Sequence, residues 1–205
     1  MEDVLDLYAE PYNPKQPVVC FDERPFQLTG EVRQSQPAKP GQPMRYDYEY
    51  RRNGTCNMFL FFQPLVGWRH VEVTDQRTKL DFASCMKALP DEYFPEAETI
   101  KVVLDNLNTH TPAALYEAYK PEEASRISKK LEFHYTPKHG SWLNMVEIEI
   151  SVLSGQCLDR RIPDQTTVKR EVAAWEKERN MRRALVNWRF TTKDARIKLK
   201  RLYHN

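Results

Sequence analysis

The 205-residue chain has no apolar run approaching the roughly 20 residues of a membrane-spanning helix. Its opening segment, MEDVLDLYAEPYNP, has neither the basic start nor the apolar centre of a signal peptide. Both absences predict a soluble, intracellular protein without membrane contact. Cysteine is sparse: Cys20, Cys56, Cys85 and Cys157 are scattered with no CxxC pair. That spacing argues against a thiolate zinc site and against a disulfide framework, and predicts reduced thiols. Net charge is only +2, but its distribution is uneven. From Ser151 onward there are 14 Lys or Arg against 6 Asp or Glu, net +8, which leaves net −6 for residues 1–150. A chain of this length can form one large domain with a real core plus an appended helical segment.

What is present reads as strands first and then an alternation. VVCFDE is a short β-branched and aromatic run, YDYEY alternates with the two-residue period of a strand, and CNMFLFFQPL and HVEVT add two further strand candidates. Between the first two lies RPFQLTGEVRQSQPAKPGQPMR, whose Pro25, Pro37, Pro40 and Pro43 predict irregular backbone, because proline removes ladder donors. Residues 24–54 therefore read as an exposed loop or hairpin insertion, either a clamp-like contact with DNA or a second protomer, or an ordinary surface loop. A helix over TKLDFASCMKAL, a buried parallel strand at TIKVVL, helices at PAALYEAY and PEEASRISKK, and a strand at LEFHYTP follow. The resulting βββαβαβα order predicts an α/β fold, a mixed sheet covered by helices.

Three acids are delivered by apolar elements: Asp22 closing VVCFDE, Asp105 closing TIKVVLD, and Glu147 inside HGSWLNMVEIEISVL. Converging carboxylates repel one another, so such a cluster makes sense chiefly around divalent cations. Two ions about 4 Å apart would serve in-line displacement at phosphorus. A helix from Ser141 to Leu158 would carry Asn144, Glu147, Ser151 and Ser154 as one polar stripe on an otherwise apolar surface. Glu149 lies about 200° from Glu147 on that helix and is either salt-bridged or solvent-facing; a rolled helix would exchange their roles. Glu23, next to Asp22, points to the opposite side of its strand.

Asn106, Asn108 and His110 follow the second acid and could orient water or phosphate, although Thr109 or Thr111 with Pro112 reads better as a helix start. His134, Lys138 and His139 flank the approach to the third acid, and Trp142 reads as core. Further on, Val168, Val172 and Trp175 have helical spacing behind Asp164 as a start signal. Trp188, Phe190, Ile197, Leu199 and Leu202 then interleave with basic residues in a terminal helix suited to lie along DNA. A basic set including Arg160, Arg161, Lys169, Arg170, Arg182, Arg183, Arg189, Lys198, Lys200 and Arg201 could follow a phosphate backbone, or simply form a solvated surface.

The contexts of the three acids, above all YTPKHGSWLNMVE, resemble the catalytic domain of bacterial insertion-sequence transposases of the mariner-like DDE superfamily. The resemblance extends over essentially the whole chain. It implies an RNase H-like core over residues 18–158 behind a lead-in at 1–17, with a basic helical extension at 159–205. It also implies Asp22, Asp105 and Glu147 as catalytic acids and ligands of two Mg²⁺ ions, Mn²⁺ being a possible substitute. The implied activity is cleavage of DNA at a transposon end, followed by attack of the freed 3′ hydroxyl on target DNA. Implied partners are double-stranded DNA and a second copy of the chain, with Lys138, His139, Arg160, Arg161, Arg182, Arg183, Lys198, Lys200 and Arg201 as candidate DNA contacts. The implied location is the bacterial cytoplasm, at the nucleoid. Only 17 residues precede VVCFDE, which leaves no room for the family's amino-terminal helix-turn-helix module and points to a separate polypeptide, a truncation or a frameshift. A non-catalytic DNA-binding or dimerisation remnant, and an RNase H-like nuclease without strand transfer, are the competing readings.

Overall fold

A computed structural model of the chain describes residues 1–33, 36–45 and 47–203. Its centre is a five-stranded sheet made of β1 (Val18–Glu31), β2 (Tyr50–Gln63), β3 (Trp68–Thr74), β4 (Ile100–Leu104) and β5 (Leu131–Tyr135), in the order β3-β2-β1-β4-β5. The first three strands form an antiparallel meander, whereas β4 and β5 join it in parallel. The helices are α1 (Glu2–Ala9), α2 (Lys79–Ala88), α3 (Ala113–Ala118), α4 (Pro121–Lys130), α5 (Val146–Leu153), α6 (Gln165–Met181) and α7 (Thr192–Lys198).

Strand periodicity sorts the core into two layers. Val19, Phe21, Phe59, Phe61, Val102 and Leu104 pack under α2, α3 and α4 through Phe82, Met86, Leu115 and Ile127. Val18, Cys20, Met58, Leu60, Phe62 and Val103 point the other way, onto Val4, Leu5, Val146, Ile150, Val168 and Val172 of α1, α5 and α6. Consecutive buried residues in β1 and β2 are thus the mark of a sheet covered on both faces. Each such side chain contributes roughly 1.5–3 kcal/mol relative to its exposed state.

Several local expectations fail for identifiable reasons. β1 does not end at Glu23 but continues to Glu31 against β2, so the irregular stretch is shorter than its prolines implied. Beyond Cys20 the strand has no ladder to β4, so Pro25 sits opposite Asn57 with a free flank, where a missing N–H is tolerated. Of the YDYEY run, Tyr46 lies outside the described residues, and among the others only Tyr50 is in a strand. The long helix expected from Ser141 is broken into a 3₁₀ turn at Ser141–Leu143, an extended Asn144 and then α5, with a π turn at Ser154–Leu158. No threonine caps α3: Pro112 is its first flanking residue and no side chain bonds its amino end.

The lead-in contains α1, whose Val4, Leu5, Leu7 and Tyr8 are buried in the core. Asp164 caps α6 as expected, accepting from the Thr167 amide at 2.8 Å. α6 is docked on the edge strand β3 by side chains that take up its outer backbone groups. Glu176 accepts from the Val71 amide at 3.0 Å, and Asn180 both accepts from the Arg69 amide at 2.9 Å and donates to its carbonyl at 2.8 Å. The β2–β3 turn fits closely against the segment after α6. Gly67 has φ +72°, and a Cβ there would lie 2.7 Å from the Arg183 carbonyl carbon.

Candidate active site

The last registered pair between parallel strands β1 and β4 is Cys20 with Val103. Asp22 and Asp105 each follow that pair by two residues, so the two acids leave neighbouring strands, about 4.8 Å apart, at one level. Their position beyond the parallel ladder is where open sheets present ligands. Burial is the main reason that the Asp22 carboxyl is pushed up to about 7, with the charges of Asp105, Glu147 and Glu23 adding to it and a bond from the Glu23 amide opposing it.

Glu147 follows the break before α5 and is near enough for its charge to act on Asp22. Asn144 is buried, and its Nδ2 donates to the Phe21 carbonyl at 2.9 Å, next to Asp22. Its Oδ1 accepts from the Val146 amide at 3.4 Å, so one side chain both starts the helix and ties it to β1. Tyr8 supports the strap from α1, donating to the Leu143 carbonyl at 2.8 Å. The helix therefore enters with Glu147 in its first turn.

Glu149 is held on another side of the helix. It is 1% exposed and pairs with Arg69 at 3.0 Å and with Arg179 at 2.7 Å, joining α5 to β3 and α6. This settles the salt-bridged alternative for Glu149. Its arginine partners, 80 residues upstream and 30 downstream, leave no local signal in the sequence.

On the opposite face of the sheet stands His110, also 1% exposed. Its Nδ1 is 2.5 Å from Asp105 Oδ1 and its Nε2 is 2.7 Å from Glu23 Oε2. Burial alone would pull this imidazole down, but Asp105 and Glu23 outweigh it and push it up to about 9. His110, expected to orient water or phosphate, instead makes an internal contact with the second acid. The alternation Asp22-Glu23 followed by a histidine near the end of the next parallel strand was the available signal, but only the register connects them.

His134 is a structural group: its Nδ1 bonds Asp3 at 2.9 Å and its Nε2 is 3.0 Å from Glu132 as an ion pair without an aligned hydrogen bond. Lys138 and His139 share with Asp105, Asn106, Thr136 and Ser141 a cavity of about 380 Å³. The other basic candidates lie elsewhere. Arg160 pairs with Glu171 and Arg182 with Glu178, both beside a separate cavity of about 340 Å³. Arg161 donates to the Asp47 carbonyl and Arg183 belongs to the close turn with Gly67, while Lys198 lies 5.7 Å over the Phe190 ring. Lys200 and Arg201 stand in a 3₁₀ turn after α7. Trp142 is not core: it is 46% exposed and stacks on Trp188 with 6.4 Å between ring centroids. A cavity of about 850 Å³ opens between β3 and α6 and is lined by none of the three acids.

Among the described residues no group of three or more His, Cys, Asp and Glu side chains is drawn together closely enough to hold a metal ion. The three acids are nevertheless near enough for the charges of Asp105 and Glu147 to raise Asp22. Hard carboxylate oxygens that destabilise one another in this way fit a divalent cation, whose charge would offset the repulsion.

Residues 17–169 match a family model described as DDE superfamily endonuclease. The Mos1 mariner paired end complex with Mn has a similar fold, with a TM-score of 0.56 and 16% identity over 88% of this chain and 55% of that one. The Mos1 Strand Transfer Complex gives a TM-score of 0.59 and 14% identity over 89% of this chain and 55% of that one. The chain spans a little over half the length of these neighbours. The likeness establishes the expected RNase H-like mixed sheet flanked by helices. No curated protein matches the chain significantly.

Proposed function

We propose, from the premise that this chain belongs to the DDE superfamily endonucleases, that it is the catalytic core of a transposase that cuts DNA strands and transfers the freed end to new DNA. The observation that carries this reading is the register of β1 and β4, which sets Asp22 level with Asp105 while Asn144 ties the helix of Glu147 to the same strand. Asp22, Asp105 and Glu147 would hold two divalent cations, Mg²⁺ or Mn²⁺. When bound, such ions neutralise charge on the phosphodiester and favour the attacking and leaving oxygens of in-line displacement.

The chain's own residues have two tasks. Asp22 and Asp105 leave neighbouring strands at one level, and Asn144 ties the helix of Glu147 to the first of them. Lys138 and His139, which line a cavity together with Asp105, would hold a phosphate of the strand being cut. In cleavage a water oxygen attacks phosphorus and the 3′ oxygen leaves as a hydroxyl; in joining that hydroxyl attacks a target phosphorus, the target strand's own 3′ oxygen leaves, and the proton lost by the attacking hydroxyl balances the one the leaving oxygen takes up. Double-stranded transposon ends and target DNA are the proposed substrates, and a homodimer the proposed active form. The proposed setting is a bacterial insertion sequence whose product works at the nucleoid.

The test is cleavage and joining of labelled duplexes, including a pre-cut end, with Mg²⁺ or Mn²⁺. Wild type is expected to give metal-dependent products that Glu147→Gln does not. The family description as an endonuclease supports a second reading, cleavage without joining. That reading predicts nicked products but no transfer of the pre-cut end.

A further inference from the structure

We propose that His110, braced by Glu23, is the positioning residue that fixes the Asp105 carboxylate for metal binding, a proposal that rests on the functional reading above. Asp105 is the most exposed member of the contact, with 29% of its side chain open, whereas His110 is 1% and Glu23 6% exposed. A carboxylate at a strand end with that freedom would otherwise rotate between several orientations. The 2.5 Å contact from His110 Nδ1 to Asp105 Oδ1 commits one oxygen inward and leaves the other free to point outward.

The imidazole itself has little latitude. Phe82 stacks on it at 4.9 Å and Phe21 meets it edge-on at 5.6 Å. Its backbone is held as well, because the Tyr135 hydroxyl donates to the His110 carbonyl at 2.9 Å and the His110 amide donates to Leu107 at 3.0 Å. The remaining ring nitrogen lies 2.7 Å from Glu23 Oε2 as an ion pair, and that buried oxygen makes no aligned hydrogen bond. Glu23 immediately follows Asp22 on β1 and Asp105 immediately follows β4, so the bridge links the two acid-bearing strands. Groups that hydrogen-bond metal-binding carboxylates in this way typically change affinity by about 10–100-fold when removed.

The two ring nitrogens make the idea separable from simple packing. In His110→Asn the side-chain amide nitrogen can occupy the place of Nδ1 and keep the bond to Asp105; in His110→Gln it reaches instead toward the place of Nε2 and Glu23. Mn²⁺ binding to the full chain, followed by electron paramagnetic resonance without DNA, is compared for wild type, His110→Asn, His110→Gln and Glu23→Gln, with thermal unfolding of each. The expected result is binding within about 3-fold of wild type for His110→Asn and a loss of about tenfold or more for His110→Gln, at similar melting temperatures. Glu23→Gln is expected to fall between them. Wild-type binding with equal affinities in His110→Asn and His110→Gln, whether retained or lost together, overturns the positioning role. Absence of Mn²⁺ binding by folded wild type overturns the functional reading itself, and this proposal with it.

Discussion

Asn144 Nδ2 donates a 2.9 Å hydrogen bond to the backbone carbonyl of Phe21, joining the entrance of α5 to the residue that precedes Asp22. The bond is buried and local to both acids, so its loss should affect function beyond stability. Asn144→Ala leaves the Phe21 carbonyl without this partner and is expected to cost about 1–3 kcal/mol in urea unfolding. Single-turnover cleavage by the folded variant should fall by more than the folded fraction does. Equal losses would mean that the bond supports the fold alone.

The two glutamates of α5 should separate cleanly. Glu149→Ala strands Arg69, whose side chain is fully buried, and is expected to cost about 3–5 kcal/mol. Glu147→Gln removes one of the charges that raise Asp22 and should unfold within about 0.5 kcal/mol of wild type or be slightly more stable. Chemical denaturation of both variants side by side checks this, and a reversed order would exchange their assignments.

His70 offers a pH-dependent contribution away from the acids. Burial pulls its imidazole down, but Glu176 and Glu72 outweigh that effect and leave it above its ordinary value of 6.5. The folded chain then holds the proton more tightly than the unfolded one. Its stabilisation is complete below about pH 6.5 and is lost as pH rises through the higher folded value. Urea unfolding from pH 6 to pH 9 should show a wild-type advantage over His70→Asn that shrinks with rising pH; a constant difference would remove the linkage.

Lys138 shares the cavity of Asp105, whereas Arg160 is engaged with Glu171. Lys138→Ala should weaken DNA binding uniformly across sequences and lower the slope of log affinity against log salt by about one. Arg160→Ala should leave that slope within about half of one ion equivalent. Fluorescence anisotropy between 50 and 200 mM salt, a range over which phosphate contacts express themselves strongly, distinguishes the two.

Apolar runs such as TIKVVL and LEFHYTP were legible as strands, and PEEASRISKK as a helix, because short-range pattern decides them. The positions of Asp22 and Asp105 just past the β1–β4 ladder were legible for the same reason, since each terminates such a run. The break at Asn144 was not, because the bond that favours it comes from Phe21, 123 residues away. Proline in a strand, a glutamate paired inside the core and a histidine bridging two strands likewise depend on register. The helix α1 had a signal in Val4, Leu5 and Tyr8 at helical spacing behind Glu2 and Asp3, but it was read as a lead-in.

The central claim, that Asp22, Asp105 and Glu147 form one metal site, is tested most directly by the anomalous scattering of Mn²⁺ in crystals of this chain. A cleavage assay also depends on whatever end-recognition partner the chain requires, whereas diffraction from bound manganese does not. The account predicts an anomalous peak in direct contact with Asp22 and Asp105, reached also by Glu147 and absent in Asp105→Asn. Manganese bound only elsewhere on the molecule, or a peak unaffected by Asp105→Asn, would contradict it.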